Sequence, residues 1–142
     1  MRAFAHDVHT YPLPAGHRFP LAKYALVREH AETLPGVRVE AARAATPEEL
    51  AAVHTRAYLE RVEAGGLTRR EELALGLPWS PQLVERARRS TGATVQAAAA
   101  ALDDGVGLNL GGGTHHAFAD AGRGYCVFND VVTARRALAR RA

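Results

Sequence analysis

Two adjacent histidines, His115 and His116, follow a run of three glycines and one threonine in NLGGGTHHAFADAGRGYCVFND (109–130). Histidine has the ordinary pKa nearest neutrality, so an imidazole pair held in one pocket can move protons at physiological pH. Neighbouring imidazoles also oppose each other's charging, which separates their pKa values and suits them to different tasks. Glycine lacks a Cβ, so the run before the pair lets backbone approach a bound group closely. Plainer readings stand beside this one. The pair can be two polar surface residues, or metal ligands. Neutral imidazole binds zinc, but zinc takes three or four ligands, and Asp120, Cys126 and Asp130 stand at no recognised spacing from the pair. A phosphate cradle is the weakest reading, because GLNLGGGT has neither a Gly-Lys-Ser/Thr ending nor a full G-x-G-x-x-G.

The elements that must position these residues read as an α/β pattern. A short strand is expected over Arg2–His6, then a restricted loop, HTYPLPAGHRFP (9–20). Leu21, Tyr24, Ala25 and Leu34 space an amphipathic helix over 21–34, closed by Pro35 and Gly36, and VRVEAA (37–42) alternates as a strand. Thr46, Pro47 and Glu49 form a capping-box start for a helix that runs to Ala64 and stops at Gly65. The clearest helix covers 81–104, with Ser80 as cap, Pro81 opening it and Gly105 just beyond its end. Its face of Val84, Ala87, Thr91, Val95, Ala98 and Leu102 is mostly small, which favours close packing on a sheet. Gly92 inside it costs about 1 kcal/mol relative to alanine. A strand at 106–110 and a final helix from Asn129 or Asp130 complete the pattern. Helix, strand, glycine-rich loop and helix make the unit of a parallel sheet, whose ligands gather at the carboxyl ends of strands, here 111–128.

Composition narrows the class. A chain of 142 residues with 47% hydrophobic content is enough for one globular domain. The formal charge is only +3, and no basic stripe interleaved with aromatics suggests direct nucleic-acid binding. Cys126 is the single cysteine, which excludes an internal disulfide and fits a reducing compartment. The first residues carry charges and prolines where a signal peptide needs an apolar run, and VQAAAAAL (95–102) is too short to span a bilayer. No membrane role is expected, and the expected location is the cytoplasm. The last helix, NDVVTARRALARRA, is followed by no cap, turn or strand, so the chain reads as the N-terminal part of a larger α/β domain. Nothing in the sequence sets an oligomeric state.

The block 109–130 resembles the signature of the zinc-dependent histone deacetylase family, including its bacterial acetoin-utilisation, acetylpolyamine and class IV-like relatives. A glycine run, the His-His pair, Gly-aromatic-Cys and Asn-Asp all occur in order. The likeness extends to YPLPAGHRFPLAKY (11–24), VHTRAYLERV (53–62) and LPWSPQLVERARRSTGAT (77–94), and so covers essentially the whole chain.

The resemblance implies an arginase/deacetylase-like parallel sheet with helices on both faces, incomplete in this chain, with 1–142 forming the N-terminal part of a single domain. It implies zinc as cofactor, polarising an acetyl carbonyl and activating a water. The substrate would be an acetylated lysine or a polyamine-type amide. By position, His116 would be the general base and then the acid, and His115 an electrostatic and orienting partner. Gly124 would offer its carbonyl to the substrate amide, and Tyr125 would wall the acyl-lysine channel, where the family more often has phenylalanine. The family's Asp-x-His pair, later aspartate and later tyrosine have no counterpart here, so no metal ligand is assigned and the isolated chain is expected to be inactive.

Among other residues, Cys126 reads as a small buried side chain, Asn129 and Asp130 as the cap of the last helix, and His54 and Tyr58 as packing residues. In relatives, the loop bearing His17 and Arg18 approaches the floor of the site. The rival reading is a non-catalytic truncated homologue that binds acylated ligands or pairs with a second polypeptide. A hydrolase of the arginase side is a weaker third.

Overall fold

Helix α5 (Pro81–Asp104) is the element on which the others assemble in this computed structural model, which describes residues 1–140. In chain order the elements are β1 (Arg2–Ala5), α1 (Lys23–Glu32), β2 (Arg38–Ala41), α2 (Pro47–Ala51), α3 (Arg56–Ala64), α4 (Arg69–Leu75), α5, β3 (Gly107–Asn109) and α6 (Asp130–Ala139). The three strands are parallel in the order β2-β1-β3, with Ala3 opposite both Val39 and Leu108. Side chains alternate along β1. Arg2 therefore shares a face with Phe4, and both turn toward α5: Arg2 pairs with Asp103 and Asp104, and Phe4 packs with Ala93, Ala97 and Ala100. Ala3 points the other way and is fully buried, so the second face is covered too.

Small residues let α5 lie close. A Cβ on Gly92 would overlap the carbonyl oxygen of Arg43, just beyond β2. The glycine that weakens the helix locally is therefore required by the approach of the chain at 43–45. A larger cluster on the far side joins Tyr58, Val62, Leu75, Leu77, Leu83, Val84 and Phe128.

The expected helix over 46–64 is divided. Thr46 starts α2 with the foreseen capping box, but Thr55 then caps a second helix, its hydroxyl accepting the Tyr58 N–H. Two tertiary bonds fix the break: the Thr55 N–H donates to Ala119 O at 2.9 Å, and the Asn129 N–H donates to His54 Nε2 at 3.1 Å. Tyr58 is buried as expected, and its hydroxyl donates to Val127 O at 2.8 Å. Helix α4 was not anticipated, although Thr68 and Glu71 form a second capping box there. Helix α5 spans the residues expected of it, whereas α1 and β3 are shorter than the patterns suggest. Among the described residues, no helix is long and apolar enough to cross a membrane.

Candidate active site

The loop after β3 is shaped by three polar side chains. Asn109 Nδ2 donates to Thr94 Oγ1 at 2.8 Å and to the carbonyls of Ser90 and Gly112, while its Oδ1 accepts the Gly111 N–H at 2.8 Å. Asp130 Oδ1 accepts the Thr114 N–H at 2.7 Å, and Oδ2 accepts the Thr94 hydroxyl at 2.6 Å. Asn129 Nδ2 reaches the carbonyls of His115 and Ala117, and its Oδ1 accepts the Val132 N–H. Asn129 is thus the cap expected from sequence. Asp130 lies in the first turn of α6 but is fully buried, and its carboxylate serves the loop. Burial raises its pKa, against the opposing bonds from Thr94 and Thr114.

This frame delivers His115 and His116 side by side, ring centroids 4.1 Å apart and planes at 42°. Both are exposed, and neither ring has a hydrogen-bond or acidic partner among the described residues. Gly124 stands against them: a Cβ there would lie 3.2 Å from His116 Cδ2.

Gly124 and Tyr125 are the two central residues of a tight turn. Arg123 and Cys126 exchange backbone bonds of 3.0 and 2.9 Å across it. Gly124 has φ 55° and Tyr125 φ 66°, the positive pair that a type I′ turn requires. A non-glycine residue is costly there, so its surroundings must hold it. The Tyr125 N–H donates to Leu75 O at 2.7 Å. The ring meets Phe19 edge-on at 5.1 Å and His17 at 6.5 Å. His17 Nε2 donates to Gly76 O at 3.0 Å and Nδ1 accepts the Phe19 N–H, which fixes the tautomer. A Cβ on Gly76 would come within 2.9 Å of the Tyr125 ring.

His115, His116, Gly124 and Tyr125 are therefore neighbours at the carboxyl end of the sheet. His17 braces the aromatic wall, and Arg18 is exposed on the surface. Cys126 is buried, its thiol 3.4 Å from Gly124 O and its pKa raised by desolvation. Sequence reading missed Asn109, Thr94, Thr114, Phe19 and Gly76. Only Gly76 carried a signal, as the left-handed residue closing α4. Below Tyr125 lies a cavity of about 210 Å³, also lined by Phe19, Gly111 and Phe128, and His115 and His116 do not line it. Among the described residues, no group of three or more His, Cys, Asp or Glu is placed to hold a metal.

A match to the histone deacetylase domain runs over residues 16–142. The chain belongs to the histone deacetylase family. An uncharacterised protein of the cyanobacterium Picosynechococcus is 34% identical over 141 residues, covering 96% of this chain and 46% of that one. The acetoin utilization protein AcuC of Bacillus subtilis is 35% identical over 102 residues, 65% of this chain and 26% of AcuC. The crystal structure of a histone deacetylase homologue from Aquifex aeolicus has the same fold, with a TM-score of 0.76 at 21% identity, over 99% of this chain and 41% of that one. A homologue structure complexed with SAHA superposes at 0.75. The deacetylase-family chain thus spans less than half the length of these relatives, and its three-stranded parallel sheet is part of the arginase/deacetylase-like fold.

Proposed function

We propose that residues 1–142 form the N-terminal part of a single deacetylase domain that hydrolyses acetyl-amide bonds, on lysine side chains or small acetylated amines, with zinc as cofactor. The observation that carries this reading is the adjacent His115–His116 pair beside the Gly124–Tyr125 turn at the carboxyl end of the sheet.

In this reading His116 accepts a proton from the attacking water and returns it to the leaving amine, so the amine departs neutral. His115, its ring centroid 4.1 Å away, is the electrostatic and orienting partner. The Gly124 carbonyl accepts the substrate amide N–H, and the Tyr125 ring gives the methylene stem a flat apolar wall. Among the described residues no group of three or more His, Cys, Asp or Glu is placed to hold a metal, and in this reading the zinc ligands would come from the part of the domain that the relatives have and this chain does not cover. The protein works in the cytoplasm, without direct contact to nucleic acid.

The test is hydrolysis by the native gene product of an acetyl-lysine peptide and of an acetylated polyamine, with free amine as readout. Turnover of either supports the reading. Turnover of neither by a zinc-supplemented, folded product contradicts it.

A further inference from the structure

Two arginines adjoin the exposed Tyr125 wall, and no group of the described residues neutralises them. Arg18 lies between His17 and Phe19, whose rings meet the Tyr125 ring at 6.5 and 5.1 Å. Arg123 is the first residue of the turn that carries Tyr125, and its backbone N–H donates to Cys126 O at 3.0 Å. Both arginines are exposed, and neither guanidinium makes a hydrogen bond or ion pair among the described residues. Other arginines are paired, as Arg28 is with Asp7 and Glu32, and Arg61 with Glu71. The carboxylate nearest to Arg123 in sequence is Asp120. Its segment lies over α3, where Arg61 donates to the Asp120 carbonyl at 3.2 Å.

A surface groove opens beside the same wall. It holds about 190 Å³, is lined by Pro14, Leu73, Leu77 and Pro78, and shares His17 and Gly76 with the brace of Tyr125. Leu73 is 66% exposed. The charged residues of the groove, Arg69 and Glu72, pair with each other at 3.6 Å, so it presents apolar surface without a free charge. An acetylated polyamine has no apolar branch for such a groove, and its remaining ammonium groups are repelled by Arg18 and Arg123. A polypeptide supplies what both features take. Its residues follow the acetyl-lysine at about 3.8 Å from Cα to Cα, so side chains one or two places along fall over the rim.

We infer that the substrate is an acetyl-lysine flanked by acidic residues in a polypeptide chain, whose carboxylates are received by Arg18 and Arg123. This rests on the deacetylase reading of the same site and narrows its substrate class. Guanidinium meets a carboxylate through two parallel N–H donors. Charges at the rim of a contact act mainly on encounter and partner choice, so the preference weakens with salt.

The native gene product is given two acetyl-lysine peptides, one with glutamate and one with lysine at the flanking positions. Fluorescence anisotropy gives Kd, and release of free amine gives turnover. Each exposed pair contributes at most about fivefold, so the acidic peptide should bind about tenfold more tightly at low salt. The ratio should fall toward unity at about 0.5 M salt, and to about twofold or less in Arg18→Gln/Arg123→Gln. A peptide with alanine in place of acetyl-lysine controls for loose attraction to a basic surface. Equal Kd values for the two peptides, an undiminished ratio in the double variant, or equally tight binding of the alanine control overturns the inference. Should the double variant fail to fold, a wild-type preference that survives high salt overturns it, and one that vanishes supports it. Turnover with equal Kd values leaves the proposed function standing and removes this inference. Preferential binding of the acidic peptide without turnover supports the recognition and removes the proposed function.

Discussion

Asp130 and Thr114 hold each other twice. The Thr114 N–H donates to Asp130 Oδ1 at 2.7 Å, and the Asp130 N–H donates to Thr114 O at 2.9 Å. The residue directly before His115 is thereby tied to the first turn of α6. Replacing Asp130 with alanine leaves the Thr94 hydroxyl and the Thr114 amide without their acceptor. Each such loss costs about 1–3 kcal/mol, so Asp130→Ala should lower the unfolding free energy by about 2–6 kcal/mol in urea titration. An unchanged midpoint would show that the loop is held by something else.

Gly76 and Tyr125 are bound sterically in the same way. Gly76 has φ 80°, and a Cβ there meets the Tyr125 ring at 2.9 Å. Gly76→Ala should cost more than about 1 kcal/mol and shift the Tyr125 ring resonances by NMR, because both backbone and ring must give. Unmoved resonances would mean that the ring is set by Phe19 and His17 alone.

Burial of His6 predicts a pH dependence of defined sign. Its folded pKa, about 3, lies below the ordinary 6.5, so the unfolded chain takes up the proton first. The stabilisation is fully present above pH 6.5 and is lost as pH falls from there toward 3. His54 is shifted in the same direction, also by desolvation. Between pH 6.5 and 5, stability should fall by up to about 1.4 kcal/mol per pH unit on account of His6, with His54 adding in the same direction and the raised pKa of buried Asp130 opposing. His6→Gln should reduce that slope and leave the share of His54. Denaturant titrations in a bulky-sulfonate buffer measure it, and an identical slope in the variant would contradict the account.

Much of the fold was legible because its signals are local. Ser80, Pro81 and Gly105 bound α5, and the step from α5 through β3 to the glycine run located the site. The His-His block also carried the family. The split between α2 and α3 was not legible, because it depends on Ala119 and Asn129, some 64 and 75 residues away from Thr55 and His54. The same reason hid Thr94, Asn109 and Thr114, whose polar atoms meet only after α5, β3 and α6 have packed together. From sequence Asp130 reads only as a helix cap, since its neighbours in the chain suggest nothing more.

The assignment of the proton-carrying role to His116 is the central claim. It is tested most directly by kcat/KM of the native, zinc-supplemented gene product on an acetyl-lysine peptide, for wild type, His116→Ala and His115→Ala. The account predicts a loss of about 100-fold or more for His116→Ala and a smaller loss for His115→Ala. Near-wild-type hydrolysis by His116→Ala would contradict it.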